Sequence, residues 1–141
     1  MNKKDKMLFV ISFAIFYALL LIIGIFVFGN FLVNIDETII RFILRDFVNY
    51  EAFEFVVYCS GIVSISAYLG VIFGFLMVRI KPVLKVVLAS TILLWSINIL
   101  RIIIVMLSEK LGWHQALHIT SWFFMGAVVV WLIKISILKK K

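Results

Sequence analysis

The stretch MLFVISFAIFYALLLIIGIFVFG, from Met7 to Gly29, contains no charged side chain. A helix crosses the hydrocarbon core of a bilayer with about 20 apolar residues at about 1.5 Å per residue, so this stretch is long enough for one span. A secretory signal peptide is a rival interpretation, but its apolar region has about 7–15 residues followed by a small-residue cleavage site. Because this stretch is longer and continues into Asn30 and Phe31, we predict a retained transmembrane helix.

Three further apolar stretches of similar length predict transmembrane helices at 55–78, 83–107 and 119–138, after the first at 7–29. The chain of 141 residues is 65% hydrophobic and has a mean hydropathy of +1.22. These values lie far from those of soluble globular proteins. The sequence therefore predicts an all-α integral membrane protein, a helical bundle of about four transmembrane helices forming one membrane-embedded domain over residues 1–141.

The segment from Asn30 to Glu54 connects the first two predicted spans. Apolar residues recur at helical spacing between its charged residues, at Ile35, Ile39, Phe42, Ile43 and Phe47. This pattern predicts an amphipathic helix on the outer membrane surface with its apolar side down. Two roles stay open: the helix connects two spans and does no more, or it forms a lid or docking surface over the outer ends of the other helices.

The basic residues predict the orientation, because Lys and Arg accumulate in short cytoplasmic segments. Ten of the fourteen lie on one side of the predicted spans: Lys3, Lys4, Lys6, Arg79, Lys81, Lys85, Lys134, Lys139, Lys140 and Lys141. We therefore expect a multi-pass protein of the cell membrane with both termini in the cytoplasm. The net charge of +7 then reflects topology and attraction to lipid headgroups, and we expect no nucleic acid partner.

Three reactive side chains, Cys59, Arg101 and His118, fall at one predicted depth. Cys59 lies about four residues into the second span, Arg101 about six before the end of the third, and His118 at the start of the fourth. All three are then within roughly 10 Å of the outer interface. With a single cysteine, the chain forms no internal disulfide, so the role of Cys59 must come from its thiol or its packing.

Each of these residues alone has a structural interpretation: a packed thiol, an arginine reaching the headgroups, an interfacial histidine. Their joint occurrence at one depth favours a functional site. A thiolate is a nucleophile, Arg101 can favour the thiolate or bind an oxyanion, and His118 can serve as general base and then general acid. This set supplies what covalent acyl transfer at a membrane surface requires.

Two motifs carry a family resemblance: Tyr58-Cys59-Ser60-Gly61-Ile62, and Asn98-Ile99-Leu100-Arg101-Ile102 followed by His118 after a loop containing Gly112. In this order they resemble the exosortase/archaeosortase family. The resemblance implies a membrane-embedded cysteine protease or transpeptidase with catalytic Cys59, Arg101 and His118. The implied substrates are proteins with a C-terminal sorting signal of a short motif, a hydrophobic helix and a basic tail, processed at the extracytoplasmic face. The implied acceptor is water, a lipid or another nucleophile.

The chain also departs from the family pattern. Many relatives have more spans, so this chain would be a minimal short member. Trp122 stands where many members have a glycine, and Val63 stands where an arginine is common. Asn98, one turn before Arg101, is expected to support the site, together with Ser60 and Gly61.

Other features favour simpler interpretations. His114 and His118 have metal-ligand spacing, but the segment lacks the glutamate of the metalloprotease helix motif, so we predict no metal and no cofactor. Trp113 and Trp122 are expected as interfacial anchors. The alternative function is that of a non-enzymatic small membrane protein that binds a partner transmembrane helix or assists assembly, with Arg101 as the pairing residue.

Overall fold

The computed structural model describes residues 2–44, 61–80, 82–108 and 112–138. Within these ranges the chain is helical and has no strands. The helices are α1 (Lys3–Phe26), α2 (Gly29–Leu44), α3 (Ile62–Met77), α4 (Leu84–Ser108) and α5 (His114–Leu138). By length and composition, α1, α4 and α5 can each cross a membrane, and α3 is a shorter apolar helix. The all-α class predicted from sequence is confirmed within these ranges, and three helices, against about four predicted, are long and apolar enough to cross a membrane.

The predicted span limits agree with the helices to different degrees. The third span, 83–107, matches α4 within one residue at each end. The first was predicted to continue to Gly29, but α1 ends at Phe26 and Gly29 opens α2. The fourth was predicted to start at 119, but α5 starts at His114, so His118 lies inside the helix and not at its start.

The second predicted span, 55–78, corresponds to a helix from Ile62 onwards, and its predicted start lies outside the described residues. Gly61 has a φ of +78°, which is left-handed, and it caps an α3 that begins at Ile62. A left-handed residue cannot continue a right-handed helix, so an unbroken helix over 55–78 is excluded. Cys59 therefore precedes α3 instead of lying four residues into it. Cys59 and Ser60 themselves lie outside the described residues.

Helices α1 and α3 pack closely in antiparallel fashion. A Cβ atom on Gly70 would lie 3.2 Å from the Cα of Tyr17, and one on Gly74 would lie 3.0 Å from the Phe9 ring. Small residues let two helices approach in this way in a lipid environment, where van der Waals packing drives association. Gly70 and Gly74 form a small-residue face of α3, and α1 occupies this face.

A buried cluster joins α3, α4 and α5, and it comprises Tyr68, Ile72, Val87, Leu94, Met125 and Leu132. Tyr68 also makes a buried 2.6 Å hydrogen bond between its hydroxyl and Ser136 Oγ. Ser136 Oγ donates its only hydrogen to the Leu132 carbonyl at 2.8 Å, so Tyr68 is the donor of the pair. This bond ties α3 to α5 without leaving a polar group unsatisfied.

The amphipathic helix is present as α2 over 29–44. Two roles were left open for it, a connection or a lid, and its contacts run along the side of α4 and not over the ends of the helices. Asp36 is bonded to Trp95, which stands near the midpoint of α4. Ile40 and Leu44 belong to a buried cluster with α4 residues Ile99, Ile102 and Met106. Phe42 and Ile43 do not contact the other helices to the same extent, since they are 81% and 48% exposed, and Phe47 lies outside the described residues. Helix α2 therefore packs along α4 through a stripe that includes an acid.

Candidate active site

Helix α4 presents three hydrogen-bonding side chains at a spacing of three residues: Trp95, Asn98 and Arg101. A step of three residues turns the direction of a side chain by about 60°, so each one faces a different neighbour. Trp95 contacts α2, Asn98 contacts the residue that caps α3, and Arg101 contacts α5. Helix α4 is thus the element that brings the predicted motifs together.

Gly61 and Asn98 are in direct contact. Asn98 is 2% exposed, and a Cβ atom on Gly61 would lie 3.2 Å from its Cβ and Cγ atoms. Both the left-handed φ and this close approach favour glycine at position 61. The last residue of the Cys59-Ser60-Gly61 motif therefore lies against the first residue of the Asn98-to-Arg101 motif.

Arg101 is buried, with 6% of its surface exposed. Its Cζ atom lies 5.0 Å from the centroid of the Trp122 ring, within the range of a cation–π interaction. Burying a guanidinium among apolar helices is costly, and the aromatic face offsets part of that cost. The arginine does not extend to the surface, so headgroup snorkelling does not account for it.

His118 contacts the same tryptophan. The indole Nε1 of Trp122 donates to Nε2 of His118 at 3.3 Å, and the two rings meet edge to face with centroids 6.3 Å apart. His118 is half-buried, and its backbone carbonyl accepts a 2.7 Å hydrogen bond from Ser121 Oγ. Trp122 therefore lies between the imidazole of α5 and the guanidinium of α4.

Sequence reasoning assigned Trp122 to the membrane interface and missed this position. One signal was present: Trp122 follows His118 by four residues, which places the two side chains on one helix face. The contact with Arg101 had no sequence signal, because it depends on how α4 and α5 are rotated against each other. Trp122 joins the candidate site as a residue that touches two of its predicted members.

An open groove lies beside Arg101 between α4 and α5, with a volume of about 180 Å³. Among the residues that the structure describes, the lining is apolar apart from Arg101, Thr120 and Ser121, and its apolar members are Ile97, Ile104, Val105, Leu117 and Phe124. The hydroxyls of Thr120 and Ser121 donate to carbonyls of their own helix, those of Ala116 and His118. Arg101 is therefore the charged group that this groove offers.

Asp36 is a second feature that the sequence interpretation missed. It is 1% exposed, and its Oδ1 accepts a 2.8 Å hydrogen bond from Trp95 Nε1. Burial raises the pKa of Asp36 from 3.8 to about 6, against the lowering effect of the Trp95 hydrogen bond. A signal existed in the sequence, since Asp36, Ile40 and Leu44 recur every four residues and place an acid on an apolar stripe.

Two pairs of predicted residues are thus brought together: Gly61 with Asn98 by direct contact, and Arg101 with His118 through Trp122. The participation of Cys59 and Ser60 stays a prediction, because both lie outside the described residues. Among the described residues, no group of three His, Cys, Asp or Glu side chains could hold a metal ion.

No protein-family model, curated protein or solved structure matches this chain. Its function is therefore inferred from its own residues and their contacts.

Proposed function

We propose that this protein is a membrane-embedded cysteine protease or transpeptidase of the exosortase/archaeosortase type. It would process proteins with a C-terminal sorting signal at the extracytoplasmic face. The observation that carries the proposal is the contact of Gly61 with Asn98, because it joins the two motifs on which the resemblance depends. Cys59 precedes Gly61 by two residues, and two peptide units span about 7 Å at most, so chain connectivity tethers the thiol to this contact.

The proposed chemistry starts with proton transfer from the Cys59 thiol to His118. The thiolate attacks the scissile carbonyl, and the negative charge on the carbonyl oxygen is stabilised by Arg101. The intermediate collapses to a thioester as the amine of the C-terminal fragment leaves with the proton held by His118. Water, a lipid amine or another acceptor then attacks the thioester and restores the thiol.

The position of the charged groups supports an extracytoplasmic site. Arg101 lies in the last third of α4 and His118 in the second turn of α5, so both lie towards the end where these helices meet. Arg79 and Lys85 flank the opposite end of α4. By the distribution of basic residues, that opposite end is the cytoplasmic one.

A labelling experiment tests whether the arginine activates the thiol. Because the chain has one cysteine, an alkylating probe reports Cys59 alone. A cation within about 4–6 Å lowers a thiol pKa by about 1–3 units. At a pH below the thiol pKa, we therefore expect Arg101→Met to slow the labelling rate about 10-fold or more. The matched control is Arg41→Met, since Arg41 is exposed on α2 and pairs with Glu37 at 2.6 Å. Equal labelling rates for the wild type and Arg101→Met would count against the proposal.

The alternative function, a non-enzymatic membrane protein that binds a partner transmembrane helix or assists assembly, is favoured by one observation. The groove beside Arg101 is open and mostly apolar, as a helix-binding surface would be. The small-residue face of α3 cannot serve this purpose, since α1 occupies it. Under this alternative, Cys59→Ser would keep full biological activity, and a bulky residue at Val105 in the groove would abolish that activity. Under the enzyme proposal, Cys59→Ser would abolish activity.

A further inference from the structure

We infer that Trp122 is a positioning residue that sets the proton position on His118 and holds Arg101 beside it. The catalytic consequence rests on the proposed function. The proton position itself is a property of the folded chain and can be measured without any substrate. The inference stands on two contacts of one indole, one through its N–H and one through its ring face.

The hydrogen bond determines the tautomer. An indole Nε1 is a donor and has no lone pair to accept with, so the nitrogen that faces it must present a lone pair. Nε2 of His118 is that nitrogen, at 3.3 Å. A protonated imidazole would place one N–H against another. His118 therefore rests as the neutral ring with its proton on Nδ1.

The ring face of the same indole restrains the arginine. Arg101 Cζ lies 5.0 Å from the ring centroid, and the guanidinium is buried against it. His118 and Trp122 belong to one helix and Arg101 to another, so the indole sets the spacing between imidazole and guanidinium across the α4–α5 contact. The Trp122 side chain thereby positions both the imidazole of His118 and the guanidinium of Arg101, which the proposed reaction uses.

For the reaction, this tautomer makes Nε2 the basic nitrogen. The thiol hydrogen of Cys59 replaces the indole hydrogen at Nε2, the proton passes from Sγ to Nε2, and a thiolate and an imidazolium result. Nε2 then returns that proton to the leaving amine as the thioester forms. Trp122 takes no part in bond making or breaking, so it is not itself a catalytic residue.

Substitutions can separate the two contacts. Trp122→Phe keeps an aromatic face for Arg101 and removes the N–H, whereas Trp122→Leu removes both. Trp131→Phe is the matched control, because Trp131 lies about two and a half turns further along the same helix and is 54% exposed. This control is expected to behave as the wild type in every measurement below.

The direct test is nitrogen NMR of the full-length chain in detergent micelles with ¹⁵N-labelled histidine. The chain has two histidines, so a His114→Gln background leaves His118 as the one imidazole. At neutral pH we expect an unprotonated Nε2 and a protonated Nδ1, unchanged in Trp131→Phe and shifted towards the Nε2–H form in Trp122→Phe. A protonated Nε2 without substitution at Trp122, or no change in Trp122→Phe, would overturn the inference.

Processing of a substrate with a C-terminal hydrophobic helix and basic tail tests the catalytic consequence. The indole N–H has left Nε2 before the thiol reacts, so Trp122→Phe, which keeps an aromatic face for Arg101, should keep kcat within about 10-fold of the wild type. Trp122→Leu should lower kcat by about 2–30-fold relative to Trp122→Phe with KM unchanged, because the cation–π contact is lost. Equal kcat values for Trp122→Leu and Trp122→Phe would show that Trp122 is only a packing residue.

The two readouts keep the inference distinct from the proposed function. If the unsubstituted protein processes no substrate, or if Cys59→Ser processes it at the full rate, the proposed function fails and the NMR result still decides the tautomer. If Trp122→Leu does not accumulate in membranes, Trp122→Phe and the spectrum of the parent protein decide the outcome.

Discussion

Replacement of Asp36 by asparagine should remove a pH dependence of stability that this one buried carboxyl creates. Burial raises its pKa from 3.8 to about 6, so the folded chain binds the proton more tightly than the unfolded chain does. The stabilisation is therefore fully present below the unfolded pKa of 3.8 and is lost as the pH rises through about 6. At about 1.36 kcal/mol per pKa unit the whole effect is about 3 kcal/mol, with roughly 1.3 kcal/mol of it lost between pH 5 and pH 7.

The assay is thermal unfolding of the purified protein in a fixed detergent at several pH values between 5 and 8. The wild type should unfold at a lower temperature at pH 7 than at pH 5. Asp36→Asn should lose this difference, because asparagine does not ionise and its carbonyl can still accept from Trp95. Glu37→Gln is the control, since Glu37 is a neighbouring acid that is partly exposed and paired with Arg41. An Asp36→Asn protein with the wild-type pH slope would refute the reasoning.

Three further predictions concern the candidate site. Gly61→Ala should lower the unfolding temperature, because a left-handed φ costs alanine about 1–2 kcal/mol and the added Cβ would press on Asn98. The control Gly126→Ala should not lower it, because a Cβ there meets nothing within 4 Å. Cys59→Ser should abolish processing of a co-expressed substrate with a C-terminal sorting signal, because serine does not form a thiolate. Arg101→Lys should abolish or nearly abolish it, because lysine lacks the planar guanidinium that can bind an oxyanion from two directions. Both variants are compared with the wild type at equal protein abundance. Wild-type rates in Cys59→Ser would exclude it as nucleophile. His118→Ala should retain weak processing, about 10²–10⁴-fold below wild type, and a full rate would exclude His118 as the base.

The sequence by itself determined the helices and their membrane character. A backbone in lipid must satisfy its own hydrogen bonds, so an apolar stretch of sufficient length favours a helix. For this reason α4 was predicted within one residue at each end. Position along a helix is also encoded in the sequence, and it places Arg101 in the last third of α4 and His118 in the second turn of α5.

The hydropathy pattern did not predict the local backbone conformation at Gly61. The apolar run through Tyr58, Ile62 and Val63 continues across Gly61 without a change in composition, so hydropathy gave no sign of the left-handed residue that precedes α3. Glycine is compatible with a helix interior and with a left-handed turn. Gly61 adopts the turn here, with a φ of +78°, and the absence of a side chain leaves room for Asn98.

The tertiary structure decided which side chains meet. Asp36 was expected on the surface and is buried against Trp95, and Trp122 was expected at the membrane interface and lies between Arg101 and His118. Hydropathy describes the transfer of one segment from water to an apolar phase, which is a property of that segment. Contacts between helices depend on their relative rotation and axial offset, and these are set by the packing of all the helices together.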